Sequence, residues 1–334
     1  MPGASSQRPR GALLLLGCVA VLTALPALAA DQKADVKEIG NRRVAHRSLI
    51  SEQKEIAYGR ELADQIDHQA RRITDPVVTE YVNRVAQNVA RNSDLRIPIT
   101  LKVIDAPEIN AFALPGGFLY VNSGVIKAAD EEDQFAGVLA HEIAHVAARH
   151  WASQVTRATI LQYATIPLIF VPMSYPVYLG VSNAFNFGVP MMFLRFNRNA
   201  EQEADYLGLQ YMYKAGYDPN AYVAFFGKVT EEERHEPGSV PKVFMDHPPT
   251  EDRIVKAEQE IKKLLPQRDE YLVSTSEFYD VKDRLDSVIA GQKVRGQAGA
   301  PTLARHSHPI PNSSGQDEGD DKPPVLQRGN SPSK

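Results

Sequence analysis

The run LAHEIAHVAARH, residues 139–150, constrains this chain more than any other part of the sequence. It places His141 and His145 four positions apart among alanine, valine and leucine residues, which favours a helix. Acidic residues upstream predict that this helix has its N-cap at Asp130 and reaches about Gln154. Positions i and i+4 lie on one side of a helix, so both imidazoles can face a single ion.

Glu142 follows the first histidine and is offset from the line that joins the two imidazoles. It is poorly placed to be a third ligand, which leaves it free to accept a proton from a water at the ion. Zinc suits these donors, and an open fourth position lets zinc lower the pKa of a bound water to about 7. The alternative is a pair of core or surface histidines that have this spacing by chance.

A catalytic zinc needs a third protein ligand, and a predicted helix over residues 200–215 offers carboxylates in the run NAEQEADYLG. Glu201 and Asp205 stand four apart on one face of this helix. Glu201 could therefore reach the ion while Asp205 accepts the outer N–H of a ligating histidine. Glu203 points elsewhere. Without the upstream histidines, a solvated acidic face would be the simpler interpretation.

Two further regions predict secondary structure, one from its apolar periodicity and one from its composition. Apolar residues recur three and four positions apart over residues 51–92, which predicts two helices separated near Asp75 and Pro76. The segments IPITLKVID, residues 97–105, and GGFLYVN, residues 116–122, are rich in β-branched and aromatic residues. With Pro-Gly-Gly as the turn between them, they predict adjacent strands.

The charge pattern argues against a nucleic-acid partner. The chain has 37 lysines and arginines against 41 aspartates and glutamates, a formal net charge of -4, and its basic residues are interspersed with acids. With 43% hydrophobic residues over 334 positions, the chain is long enough to bury a full core.

The N-terminus is typical of an export signal. A charged start, an apolar run at residues 12–25 and the small residues of PALAAD predict cleavage after Ala29 or Ala30. Two alternatives stay open, a retained membrane anchor and lipidation at Cys18 in the run LLGC. Because this signal is hydrophobic rather than arginine-rich and amphipathic, a mitochondrial protein is not favoured.

Residues 159–196 are apolar and aromatic but are interrupted by four prolines, which argues against one continuous membrane-spanning helix. A mobile lid or a peripheral membrane contact beside the site is one interpretation, and ordinary core packing is the other. From about residue 291 the chain lacks apolar periodicity, which predicts a disordered tail.

Six ordered blocks resemble the metallopeptidase family 48, which includes the CAAX prenyl proteases, HtpX and the periplasmic protease BepA. These blocks are YGRELADQI, INAFALPGGFLYVNSGVI, HEIAH, EQEAD, YMYKAGYDP and HPPTEDRI. The resemblance implies one zinc ion per chain, bound by His141, His145 and Glu201, with Glu142 as the catalytic base. It also implies that His247 of HPPTEDRI is a fourth zinc ligand or a switch, although the sequence alone indicates a loop histidine.

The resemblance further implies a mainly helical α+β fold, a zincin-like domain with a small β-sheet whose edge strand lines the active-site cleft. In the family the strand PGGFLYVNSG lies along this cleft, where a substrate backbone could add as another strand. The residues expected to contact the substrate there are Gly117, Phe118, Leu119 and Tyr120. The expected organisation is a signal at 1–30, a linker at 31–50, the metallopeptidase domain at 51–290 and the tail at 291–334.

These features predict an exported, periplasmic zinc endopeptidase that hydrolyses peptide bonds in misfolded or misassembled envelope proteins. BepA-like proteins carry tetratricopeptide repeats after the protease domain, and this chain has the predicted tail in their place. The alternative is a non-catalytic, zinc-containing holdase or assembly factor. Glu142 favours catalysis, because a purely structural zinc has no use for a base.

Overall fold

The computed structural model describes residues 35–169, 196–235, 251–272 and 274–298. Two compact units divide the chain, residues 1–292 and 293–334, and the described elements lie in the first unit apart from the last turns of the final helix. In chain order they are a short 3-10 turn at Val36–Glu38, α1 Glu52–Gln69, β1 Arg72–Ile73, α2 Pro76–Arg91, β2 Thr100–Ile104, β3 Ala111–Leu114, β4 Phe118–Asn122, α3 Ser123–Ala128, α4 Glu132–Ala148, α5 His150–Ile169, α6 Arg198–Ala215, α7 Pro219–His235, α8 Glu251–Leu264 and α9 Ser276–Ala298.

The mainly helical α+β fold predicted from the sequence is confirmed. Four strands form one mixed sheet in the order β1-β2-β4-β3, with β2 and β4 parallel and the two outer pairs antiparallel. The predicted neighbours, β2 and β4, are indeed adjacent. The Pro-Gly-Gly turn, however, joins β4 to the short strand β3, where Gly116 and Gly117 have φ of 79° and 89°. These left-handed values favour glycine and fold the hairpin tightly.

The position of β4 corrects the predicted substrate strand. Residues 118–122 pair with β2 on one side and with β3 on the other, and Gly117 O accepts a bond from Thr100 N–H at 2.9 Å. The backbone at Gly117, Phe118, Leu119 and Tyr120 is therefore already paired, and the assignment of these residues to substrate addition is wrong. Among the described strands, β3 is the edge strand that packs against α4.

The two helices predicted over residues 51–92 are present as α1 and α2. Asp75 caps α2 by accepting the Val78 N–H at 3.3 Å, and Pro76 occupies the first turn, where its missing N–H costs nothing. The prediction for α4 is partly wrong. The helix has Glu131 rather than Asp130 at its N-cap.

A break at Arg149 separates α4 from α5, so the predicted single helix to Gln154 is also wrong. Arg149 has φ 54° and ψ 43°, and as the C-cap of α4 it turns the chain into α5. A left-handed conformation is unfavourable for a residue with a β-carbon. The Arg149 side chain is held by Glu55 Oε2 at 2.7 Å and by the Ile50 carbonyl at 2.9 Å, which stabilises the turn.

The core is built around α4, which is buried along almost its whole length from Phe135 to Ala148. Helix α6 ends as predicted at Gly216, whose φ of 98° makes it the C-cap. It packs directly on α4, and Gly208 makes this close approach possible. A Cβ at Gly208 would lie 3.2 Å from His141 N and 3.3 Å from His141 Cα. Any larger residue would push α6 away from the two histidines.

Several predicted features fall outside the described residues. The export signal, Cys18 and residues 170–195 of the apolar segment are among them, so the lid or membrane contact stays a prediction. Helix α9 continues to Ala298, past the point near residue 291 where the tail was predicted to begin. No helix in the described ranges is both long and apolar enough to cross a membrane.

Asp94 anchors the N-terminal segment to the core. Its carboxylate accepts bonds from Arg42 Nε at 3.1 Å and Nη2 at 2.6 Å, from the Gly40 N–H at 2.7 Å and from the Tyr211 hydroxyl at 3.1 Å. The Arg42 and Asp94 side chains are almost completely buried. Loss of the Asp94 carboxylate would remove these bonds from a guanidinium in a region that water does not reach.

We predict that Asp94→Ala lowers the free energy of unfolding by about 3 to 5 kcal/mol, because it removes the buried carboxylate that binds the Arg42 guanidinium. Asp286→Ala is the matched control. Asp286 pairs with Lys127 at the surface, and its loss is expected to cost at most about 1 kcal/mol. Chemical denaturation measures both values, and equal losses in the two variants would contradict the anchoring role of Asp94.

Candidate active site

The structure brings together His141, His145 and Glu201. The two histidines lie on α4, each 2% exposed, and their Nε2 atoms are 3.0 Å apart. Glu201 in the first turn of α6 places Oε2 3.5 Å from His141 Nε2 and Oε1 3.5 Å from His145 Nε2. Ligand atoms at about 2.0 to 2.2 Å from a tetrahedral ion are about 3.3 to 3.6 Å from one another, a range that includes both histidine–glutamate distances and lies slightly above the distance between the two histidine nitrogens. The donor set and its spacing therefore fit a zinc ion.

Local structure explains why Glu201 reaches this point. Asn197 caps α6, with its side-chain oxygen accepting the N–H groups of Asn199 and Ala200 at 3.1 Å each. This cap starts the helix one turn before Glu201, so that its carboxylate projects toward α4. Phe196, directly before the cap, stacks on the His145 ring with centroids 4.1 Å apart. The aromatic contact restricts the orientation of that imidazole.

Asp205 lies one turn further along α6 and contacts the other nitrogen of the first histidine. Its Oδ1 is 3.1 Å from His141 Nδ1. Burial raises the pKa of Asp205, but hydrogen bonds from Arg253 and His141 outweigh burial and lower it to about 2. The group is therefore a carboxylate at neutral pH. It can accept the outer N–H of His141 and leave Nε2 free for a metal ion.

The same contacts affect His141 in the metal-free protein. Burial lowers its pKa, but Asp205 and Glu201 more than offset burial and raise the pKa to about 9. His141 then holds a proton close to two carboxylates. A metal ion must displace this proton when it binds.

Arg253 and Tyr222 also contact the site, and neither was predicted from the sequence. Arg253 on α8 donates to both Asp205 oxygens at 2.7 Å and lies 3.1 Å from Glu201 Oε2. The Tyr222 hydroxyl on α7 donates to Asp205 and lies 3.2 Å from His141 Nδ1. Arg253 belongs to the block HPPTEDRI, which was the one available signal. No local pattern distinguishes a buried arginine from a surface one.

Glu142 is buried on α4, 3% exposed, immediately after His141. Beside this helix, the edge strand β3 contributes Ala113 and Leu114 to a small pocket that His145 and Trp151 also line. An extended chain added to this strand edge would pass His145.

Glu203 and His247 are the remaining residues for which a prediction was made from the sequence. Glu203 does not join the cluster around Glu201, as expected, and instead contacts His46 and His150. Burial lowers the pKa of His150, which favours its neutral form. His247 lies outside the described residues.

A helix bearing His-Glu-x-x-His, whose histidines face a glutamate from a second helix, defines a zincin-like metallopeptidase site. The sequence profile of Peptidase family M48 matches residues 76–261, more than half of the chain. The chain belongs to this family of metalloendopeptidases.

Curated relatives come from bacteria and from mitochondria. The chain is 32% identical over 259 residues to the putative beta-barrel assembly-enhancing protease of Vibrio cholerae, an alignment that covers 76% of this chain and 52% of the relative. It is 29% identical over 243 residues to the beta-barrel assembly-enhancing protease of Escherichia coli K12, covering 71% of this chain and 49% of the relative.

A third relative is the mitochondrial metalloendopeptidase OMA1 of Schizosaccharomyces pombe, 36% identical over 186 residues, with 54% of this chain and 52% of the relative covered. The chain thus spans about half the length of the curated relatives it matches.

We predict that Asp205→Ala weakens zinc binding by about 10 to 100-fold without abolishing it, because His141 loses the carboxylate that orients its ring. Competition with a chelator of known affinity measures the effect. Glu258→Ala, an exposed carboxylate on α8, is the control and should bind zinc like the wild type. If Asp205→Ala also binds like the wild type, this carboxylate does not support the ligand.

Proposed function

We propose that the protein is an exported zinc endopeptidase that cleaves misfolded or misassembled proteins of the cell envelope. The observation that carries this proposal is the convergence of His141, His145 and Glu201 on one point beside Glu142. Three protein ligands are the number that a catalytic zinc site uses, since such a site keeps its fourth position for water or substrate. Membership of a metalloendopeptidase family supports the same reaction class.

In this proposal, bound zinc supplies a Lewis acid that polarises the scissile carbonyl and lowers the pKa of the attacking water. His141, His145 and Glu201 would hold the ion. Glu142 accepts a proton from the attacking water as its oxygen bonds to the carbonyl carbon. Glu142 then passes this proton to the amide nitrogen as the C–N bond breaks, which releases an amine and a carboxylate.

The edge position of β3 supports the proposed substrate class. Among the described strands β3 pairs only with β4, so its other side can offer backbone donors and acceptors to an extended chain, and such pairing depends little on the side chains of the substrate. An unfolded or unassembled protein can present an extended chain of this kind, whereas a folded one cannot without local opening. The names of the bacterial relatives, which refer to β-barrel assembly, favour envelope proteins and the periplasm.

We predict that Glu142→Gln keeps one zinc ion per chain and loses at least about 100-fold in turnover, because the amide cannot accept the proton. His141→Ala, His145→Ala and Glu201→Ala should each lose the ion. Metal analysis and casein digestion of the same samples measure both properties, with Glu258→Gln as the exposed control. Full zinc occupancy in Glu201→Ala would remove that residue from the site.

This pair of measurements also distinguishes an enzyme from a zinc-containing holdase. A holdase would bind zinc and unfolded protein but would show the same negligible digestion in the wild type and in Glu142→Gln. Digestion by the wild type and its loss in Glu142→Gln is the result that the proposal requires.

His247 is proposed to occupy the fourth zinc position in a resting state, where it would exclude the water that Glu142 must deprotonate. We predict that His247→Ala raises basal proteolysis and self-cleavage while the ion stays bound through the other three ligands. Digestion rates and metal content of the two proteins test this. The same basal rate in both would leave His247 as a loop residue or a substrate contact.

A further inference from the structure

A second group of ionisable side chains lies directly beside the zinc site and has no part in the mechanism above. His150, at the start of α5 and 3% exposed, has Nδ1 2.9 Å from Nδ1 of His145. Its Nε2 is 3.4 Å from Glu203 Oε2 on α6. The same oxygen is 2.7 Å from Nε2 of His46 in the N-terminal segment.

These contacts allow two interpretations. One atom each from His46, His150 and Glu203 lies within 4.8 Å of the others, so the group could hold a second metal ion. Alternatively, the group is a chain of hydrogen bonds that ends at the zinc ligand His145. The positions of the ring protons decide between them.

A neutral imidazole carries one proton, on either Nδ1 or Nε2. When His145 binds zinc through Nε2, its proton is on Nδ1 and must be donated to Nδ1 of His150. His150 therefore carries its own proton on Nε2, which makes that nitrogen a donor with no lone pair for a metal. The hydrogen bond between the two rings is thus compatible with a chain of hydrogen bonds, and it disfavours a second ion.

We propose that His150 is a positioning residue, which holds the ring of His145 in the orientation and tautomer that zinc binding requires. This inference rests on the proposed zinc site. His145 Nδ1–H donates to His150 Nδ1, and His150 Nε2–H donates to Glu203. His46 Nε2 contacts the same Glu203 oxygen and helps to hold this carboxylate in place. The two ligating histidines are therefore supported differently, His141 by a carboxylate directly and His145 by a second imidazole that a carboxylate orients.

The break between α4 and α5 creates this arrangement. An uninterrupted helix would direct residue 150 away from residue 145, since positions five apart do not share a face. The left-handed conformation of Arg149 redirects the chain, and its side chain is held by Glu55 at 2.7 Å. His46 is placed by the same turn, because its N–H donates to the Ala148 carbonyl at 3.0 Å.

Two replacements of His150 separate positioning from packing. Asparagine places an oxygen acceptor near the position of Nδ1 but is smaller, whereas phenylalanine fills the space without an acceptor. We expect His150→Asn to bind zinc within about threefold of the wild type and His150→Phe to bind about 10 to 100-fold more weakly. A packing role predicts the reverse order. Chelator competition measures the affinities without reference to activity.

A spectroscopic readout tests the hydrogen bond itself. In the cobalt-substituted protein, the Nδ1–H proton of His145 should give a shifted NMR signal in the wild type and in His150→Asn. In His150→Phe this proton should exchange with solvent too fast to be observed. At Glu203, glutamine should preserve zinc affinity better than methionine, because only glutamine keeps an acceptor for His150.

Three results would overturn the inference. The first is zinc affinity in His150→Phe equal to that of the wild type, and the second is an unchanged Nδ1–H signal in that variant. The third is a second zinc per chain that disappears in His46→Ala. The two proposals can fail separately. If the wild type binds zinc, His141→Ala does not, and His150→Phe has the zinc affinity of the wild type, then only the positioning role of His150 fails. If the wild type binds no zinc, both proposals fail.

Discussion

The close approach of α4 and α6 is the constraint on which the rest of the structure depends. Gly208 lies against the backbone of His141, where a Cβ would come within 3.2 Å of the amide nitrogen. Because the helices touch here, Glu201 and Asp205 reach the two nitrogens of one imidazole from a single face of α6. A metal site needs ligand positions correct to a few tenths of an ångström, and a glycine contact between two rigid helices can supply this accuracy.

Charge balance is the second requirement of this arrangement. Glu201 and Asp205 are both buried, 4% and 5% exposed, and buried carboxylates are stable only with compensating charges. Arg253 from α8 supplies one positive charge to both carboxylates. A bound zinc ion would add further positive charge beside Glu201. In the metal-free protein the proton on His141 serves the same purpose, so metal binding and proton release are coupled.

The residues that could be predicted from the sequence are those that a helical period places together. His141 and His145, like Glu201 and Asp205, are spaced four apart, and the structure brings all four into contact. Contacts between segments that are distant in the sequence do not produce a regular spacing, so they could not be predicted in this way. Arg253 depends on the packing of α8, and the contact of His150 depends on a left-handed residue that interrupts an otherwise continuous helical pattern. The edge position of β3 was missed because the order of strands in a sheet depends on long-range pairing.

Anomalous scattering at the zinc absorption edge, from crystals of the purified protein, tests the central claim most directly. We expect one strong peak per chain, about 2.0 to 2.2 Å from Nε2 of His141, Nε2 of His145 and a carboxylate oxygen of Glu201. His150 should lie outside the coordination sphere, with Nδ1 still facing Nδ1 of His145. A zinc peak bound by His46, His150 and Glu203 in its place, or no peak near α4, would contradict the account.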